Sequence, residues 1–246
     1  MRKVVAIIQA RMGSTRLSGK VMKNLCGKTV LAHDIARVKQ AKLVDYIVIA
    51  TTTNITDDVI VDEAIKNGVK IFRGSEADVL SRYYLAAKEY HADIIVRITS
   101  DCPLFDPKVL DDLLHFYLDH DYDIVSNAGS DLKTRTYPRG LDTEIFSFLA
   151  LENAYLKAGE KYQREHVTPY IYENANSIYY YKNVEDYSKY RWTLDTEEDW
   201  KLISKIYEYL YHDEHDFYLK DIVKLMDEYP ELSDINKNIE QKELKA

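Results

Sequence analysis

At 246 residues, with 46% hydrophobic and 30% charged residues and a net charge of −8, the chain has the composition of a globular domain with a sizeable core. The acidic balance argues against a nucleic-acid platform, no apolar run reaches bilayer length, and no secretory-type leader is visible, so a cytoplasmic protein without a membrane partner is expected. Cys26 and Cys102 have neither metal-site nor disulfide-framework spacing and are expected as reduced thiols in or near the core.

In chain order, Val4 to Ile8 is an apolar run that predicts a buried strand. It breaks into a loop, Gln9-Ala10-Arg11-Met12-Gly13-Ser14-Thr15-Arg16-Leu17-Ser18-Gly19-Lys20, with two glycines, hydroxyl side chains and three cations. Glycines let the backbone approach a polyphosphate, free N–H groups accept anionic oxygens, and Arg11, Arg16 and Lys20 add positive charge. A strand-to-helix connection with solvated charges is the plainer reading. The position favours phosphate, because ligands of open α/β sheets sit at the carboxyl ends of strands. Neither a P-loop nor a dinucleotide fingerprint is present: no hydroxyl follows Lys20, and Gly13 to Gly19 lacks the G-x-G-x-x-G spacing.

A helix is predicted over 30–38 with Thr29 as its cap, a strand over 45–50 leading into the polar loop Thr51 to Asn54, and a helix over 57–67 stopped by Gly68. A strand over 69–73, a helix over 77–90 and an apolar strand over 93–99 follow, the alternation of a parallel, two-sided sheet. Next comes Ser100-Asp101-Cys102-Pro103. Asp101 is either a turn aspartate before proline or a carboxylate placed to hold a divalent cation beside a triphosphate. Asp106 is expected to cap a helix over 109–118 with Pro107 in its first turn.

A strand over 122–127 and a polar loop over 128–137 end the regular alternation. Pro138-Arg139-Gly140-Leu141-Asp142-Thr143-Glu144 suits a polar substrate, and a helix over 163–171 carries Arg164, Glu165 and His166; the competing reading of both segments is loop braces or intersubunit ion pairs. Ser177 to Tyr181 reads as a strand, one place where the 21 tyrosines of this chain can serve an interface. Tyr190 to Leu194 reads as a short strand, Asp195 as its terminal carboxylate, and Thr196 as the cap of a helix whose first turn is Glu197-Glu198-Asp199. Amphipathic helices are expected over 202–211 and 218–226, and the polar tail after Tyr229 is expected to fray.

The segments 7–20, 97–107 and 190–200 resemble the signatures of the sugar cytidylyltransferases that activate acidic sugars, closest to the spore-coat polysaccharide biosynthesis protein F subgroup. Ser18 replaces a usual proline and Ser100 a usual glycine; neither removes a phosphate ligand. The resemblance implies an α/β, Rossmann-like nucleotide-diphospho-sugar transferase (GT-A-like) fold, with a mostly parallel central sheet flanked by helices. It also implies one nucleotidyltransferase domain over 1–246: a nucleotide part (1–127), an acceptor-sugar and dimerisation part (128–200), and C-terminal helices with a tail (201–246). By the same resemblance, Ala10, Arg11, Met12, Gly13, Ser14, Lys20, Thr51, Arg73, Gly74, Ser75, Val79, Arg82 and Asp101 contact the nucleotide. Arg11, Arg16 and Lys20 act on the phosphates, and Asp101 and Asp195 hold Mg²⁺. Arg139, Asp142, Glu144, Arg164, Glu165 and His166 face the acceptor. The implied reaction moves CMP from CTP to an acidic sugar and releases pyrophosphate, in a homodimer. Competing readings are a GT-A-type glycosyltransferase, against which no clear Asp-x-Asp stands at a strand end, and a non-catalytic nucleotide sensor.

Overall fold

A computed structural model describes residues 2–129 and 135–240. Part of the loop predicted over 128–137 and the end of the tail lie outside these residues. The chain runs β1 (Val4–Gln9), the hairpin β2 (Asn24–Leu25) and β3 (Lys28–Thr29), α1 (Val30–Val38), β4 (Tyr46–Thr52), α2 (Asp58–Lys66), β5 (Lys70–Gly74), α3 (Val79–Glu89), β6 (Ile94–Thr99) and α4 (Pro107–Asp119). It continues through β7 (Ile124–Ser126), β8 (Glu144–Ser147), α5 (Phe148–Lys157), α6 (Lys161–His166), α7 (Pro169–Asn174), β9 (Ile178–Tyr180), α8 (Glu197–Leu210), α9 (Leu219–Glu228) and α10 (Glu231–Asp234).

Seven strands form one sheet in the order β5-β4-β1-β6-β8-β7-β9, in which β8 alone runs against the others. Along β1 the side chains alternate between two cores: Val4, Ala6 and Ile8 pack on one face, Val5 and Ile7 on the other. That alternation on a strand buried on both sides explains why its sequence is a continuous apolar run. The chain first moves outward from β1 to β4 and β5, then returns to place β6 on the other flank of β1. The carboxyl ends of β1 and β6 therefore border the switch point of the sheet, the place where ligands bind in open α/β folds.

Most predicted elements form within a few residues of their expected limits, with Thr29 capping α1 and Asp106 capping α4 above Pro107. Four expectations are corrected. The helix predicted over 163–171 is two helices, because Val167 takes φ 73° and ψ −58° and the Thr168 N–H donates to His166 O at 2.9 Å, a tight γ-turn. Pro169, with no N–H, then opens α7. Tyr190 to Leu194 is extended but forms only a parallel bridge, Arg139 to Arg191, since its polar neighbours are loops. The tail does not fray at once after Tyr229: Leu232 and Asn236 are buried. Cys26, expected near the core, is exposed at the tip of the β2–β3 hairpin, whereas Cys102 is buried. Several elements had no sequence forecast: the β2–β3 hairpin, the antiparallel β8 and the helices α5 and α10.

Candidate active site

The loop after β1 is held from below. Asp57, buried just before α2, accepts the Met12 N–H at 2.8 Å and the Thr52 hydroxyl at 2.5 Å. The Gly19 N–H reaches back to Met12 O at 3.3 Å, and Gly19 sits at φ 60°, a conformation that a side chain disfavours. This turn launches the short 3-10 segment that begins at Lys20 and aims its side chain at the switch point.

Lys20 meets two carboxylates there. Its Nζ donates to Asp101 Oδ2 at 2.8 Å and to Asp195 Oδ1 at 2.9 Å. Arg16 reaches the same Asp195 oxygen at 3.2 Å, and Arg191 Nη2 donates to Asp195 Oδ2 at 2.8 Å. Burial disfavours the charged carboxylate of Asp101, but Lys20 and a hydrogen bond from Thr99 Oγ1 outweigh it and hold its pKa down at about 2. Burial likewise opposes the ammonium of Lys20, and the two aspartates reverse the effect, leaving its pKa raised. Both charges therefore persist at neutral pH. Asp34 of α1 is 1% exposed, and its oxygens have no hydrogen-bond partner among the described residues; burial, reinforced by the charge of Asp101, pushes its pKa up against the opposing charges of Arg37 and Lys20.

Asp195 is positioned by Asp199, in the first turn of α8. Asp199 is fully buried and accepts from Arg191 Nε at 3.0 Å, Arg191 Nη2 at 3.2 Å, the Asp195 and Thr196 N–H groups at 3.0 Å each, and Asn236 Nδ2 at 2.8 Å. Asn236 also donates to Arg191 O at 2.9 Å. The capping box Thr196 to Asp199 signalled part of this arrangement. The Arg191 and Asn236 contacts, which come from other parts of the chain, carried no local signal.

The remaining expected residues divide. Arg11 is exposed and pairs with Glu76 at 3.3 Å beside Gly13, and Ser14 is half-buried. Ala10 and Thr51 are buried at the ends of adjacent strands, β1 and β4. Arg73 donates to Thr52 O and Asn54 O at 2.8 and 2.9 Å, tying β5 to the loop after β4, and the buried Arg82 donates to Ser75 O at 3.0 Å while packing under Gly74. Val79 is buried at the start of α3. Arg73 and Arg82 thus hold the backbone at the carboxyl ends of β4 and β5.

On the β8 side of the sheet, Glu144 pairs with Arg97 across β8 and β6 and accepts the Thr168 hydroxyl at 2.9 Å. Asp142 is held by Arg135 at 2.5 Å. Glu165 is exposed and His166 half-buried beside the Val167 turn. Arg164 is turned away from this group: it braces α6 on α3 through Asp78, at 3.1 and 2.5 Å, and on Tyr155 O at 2.7 Å. Arg139, within electrostatic reach of Asp142, lines a pocket beside α8 and the segment that follows α10.

Asp101 and Asp195 offer the hard oxygen donors that Mg²⁺ takes, and Mg²⁺ is commonly bound by one or two carboxylates plus substrate phosphates. No cluster of three or more His, Cys, Asp or Glu among the described residues is placed to hold a metal alone, so the pair fits a metal that a polyphosphate helps to bind. No helix among those residues is long and apolar enough to cross a membrane.

The chain is 37% identical to a cytidylyltransferase of Leptospira borgpetersenii of known structure, covering 99% of this chain and all of that one with a TM-score of 0.89. It is 36% identical to the spore coat polysaccharide biosynthesis protein SpsF of Bacillus subtilis over 85% of this chain and 88% of SpsF. A structure of CMP:2-keto-3-deoxy-manno-octonic acid synthetase complexed with CTP shares the fold, with a TM-score of 0.63 at 19% identity over 84% of this chain and 98% of that one. The family model for cytidylyltransferases matches residues 5–242, a span that runs from β1 through Lys20, Asp101 and Asp195 to beyond α10, and the chain belongs to the cytidylyltransferase family.

Proposed function

We propose that this cytidylyltransferase moves CMP from CTP to an acidic sugar of the ulosonic or nonulosonic type, releasing pyrophosphate, for surface polysaccharide synthesis. The observation that carries the reading is the Lys20 ammonium held between Asp101 and Asp195 at the switch point of the sheet. An acceptor hydroxyl attacks the α-phosphorus and gives its proton to solvent, the bond to the bridging oxygen breaks, and pyrophosphate leaves with the electron pair. The protein's part in such a transfer is positioning and charge neutralisation. Lys20, Arg11 and Arg16 stabilise the charge that gathers on the leaving phosphates. Mg²⁺, held by Asp101 and Asp195 when bound, supplies further neutralisation of phosphate charge.

The rim built by Arg73, Gly74, Ser75, Val79 and Arg82 contacts the nucleoside, and the Asp142, Glu144, Glu165 and His166 side takes the acceptor. Arg164, engaged with Asp78, keeps α6 in place for that side. The expected homodimer is tested by sedimentation of the full chain.

The first experiment is thermal stabilisation by CTP, UTP, GTP and ATP, each with Mg²⁺ and again with EDTA. A ligand that binds the native state raises stability by an amount set by its concentration over Kd. A Mg²⁺-dependent shift for CTP alone, followed by CTP-dependent pyrophosphate release with an acidic sugar, is the expected result. A shift for UDP or GDP without any for a triphosphate would overturn the reading in favour of a nucleotide-sugar-dependent glycosyltransferase.

A further inference from the structure

Three arginines lie close together where the 135–142 segment meets Arg191, and two have their counter-ions. Arg135 holds Asp142 at 2.5 Å, and Arg191 holds Asp195 and Asp199. Arg139 has none: among the described residues its guanidinium makes no hydrogen bond or ion pair, although it is half-buried. Burial and the nearby charges of Arg135 and Arg191 lower its pKa, and the nearby acid, Asp142, is already held by Arg135. A partly desolvated cation beside two others is costly unless an anion completes it.

The space beside Arg139 is suited to one. A pocket of about 200 Å³ is lined by Arg139, Lys189, Arg191, Ser233, Asn236 and Lys237 among others, and no carboxylate residue among the described residues lines it. That volume is below the roughly 300–1,000 Å³ of pockets for drug-sized ligands and matches a small anion. Lys189 is exposed at the pocket, with its Nζ over the Tyr190 ring, and the exposed Lys237 pairs with Asp234 at 2.8 Å. In a chain of net charge −8, such a lining is a local reversal of sign.

We propose that this pocket is a second anion site, separate from the loop of Arg11 to Lys20, which takes the phosphate or carboxylate group of a small metabolite on Arg139. Guanidinium is the side chain whose planar fork matches both oxyanions. Arg191 lines the pocket and also holds Asp195, so the anion site and the active site share one residue.

The test is a titration of the full chain with inorganic phosphate, and in parallel with acetate, at constant ionic strength, read on the backbone amide resonances. The expected result is saturable shifts at 188–191 and 233–239 that persist under saturating CTP. The Arg139→Gln variant binds at least tenfold more weakly, and Arg139→Lys recovers part of the loss. Tighter binding of phosphate assigns a phosphorylated ligand; tighter binding of acetate assigns a carboxylate one. Shifts confined to 11–20 and removed by CTP would overturn the proposal, as would non-saturating shifts or an unchanged affinity in Arg139→Gln. Should that variant fail to fold, Lys189→Gln at the exposed rim is expected to bind several-fold more weakly, and unchanged binding there overturns the proposal equally.

Discussion

Arg191 grips Asp199 through two nitrogens, Nε at 3.0 Å and Nη2 at 3.2 Å, while the same Nη2 lies 2.8 Å from Asp195. A buried carboxylate at the start of α8 thus fixes the arginine that fixes Asp195. Removing one partner of a buried pair leaves the other uncompensated, at a cost of about 3–5 kcal/mol. Asp199→Ala is expected to lower Tm by roughly 10 °C, at about 2–4 °C per kcal/mol for a chain of this size. Calorimetry checks the stability, and a Tm within 2 °C of wild type would contradict the role given to Asp199.

On the proposed function, Lys20→Ala and Asp101→Asn act on the chemistry. Removing one preorganised charge-stabilising group costs on the order of 10²–10³ in kcat. Each variant should lose at least that much CTP-dependent pyrophosphate release while its far-ultraviolet circular dichroism stays that of the wild type. Steady-state kinetics with unchanged kcat in either variant would remove the assigned role.

Gly140 is at φ 102°, and a Cβ there would lie 2.6 Å from the carbonyl carbon and oxygen of Trp192. The backbone has nowhere to move, because Arg139 N–H and O are both bonded to the 190–192 segment. Gly140→Ala is expected to destabilise by about 2–3 kcal/mol or more. Gly159→Ala is the control: nothing lies within 4 Å of its Cβ, and its effect should stay within about 0.5 kcal/mol. Urea unfolding of the two variants side by side decides the point.

Acid stability depends on a histidine pair. His33 of α1 bonds Leu25 O and His215, each at 2.7 Å. Burial lowers the pKa of His33 to about 4 and of His215 to about 3. The folded state therefore keeps both neutral while the unfolded chain takes up protons near pH 6.5, so their contribution is complete above that pH and is lost as the pH falls toward 4. From His33 alone the loss at pH 5 is about 2 kcal/mol. Asp34 acts with the opposite sign: its raised pKa makes the folded state bind the extra proton, which favours folding at low pH and fades as pH rises. Urea titrations at pH 7.5, 6 and 5 should show stability falling, and falling more steeply in Asp34→Asn. A flat profile in that variant would contradict the histidine argument.

The apolar runs of β1, β4 and β6, the caps at Thr29, Asp106 and Thr196, and the basic loop ending at Lys20 were legible because each is local: the period, the cap and the charge cluster are written in consecutive residues. So were Asp101 and Asp195, each in a short motif that follows an extended segment. What misled was equally local. The apolar period over 163–171 looks helical, and only the packing that holds Val167 at φ 73° breaks it. The polar tail looks unanchored until Asn236 meets Arg191 and Asp199, 45 and 37 positions away.

By itself the sequence determined an α/β chain with a parallel sheet, a phosphate-suited loop and two aspartates 94 positions apart in motifs of one family. The tertiary structure alone decided that one ammonium joins those aspartates, that Asp57 anchors the loop and Asp199 the second aspartate, that Arg164 braces a helix, and that Arg139 has no counter-ion among the described residues. The reason is physical: backbone periodicity and capping depend on neighbours within a few residues, whereas the partner of a buried charge is set by which distant segments the sheet order brings together.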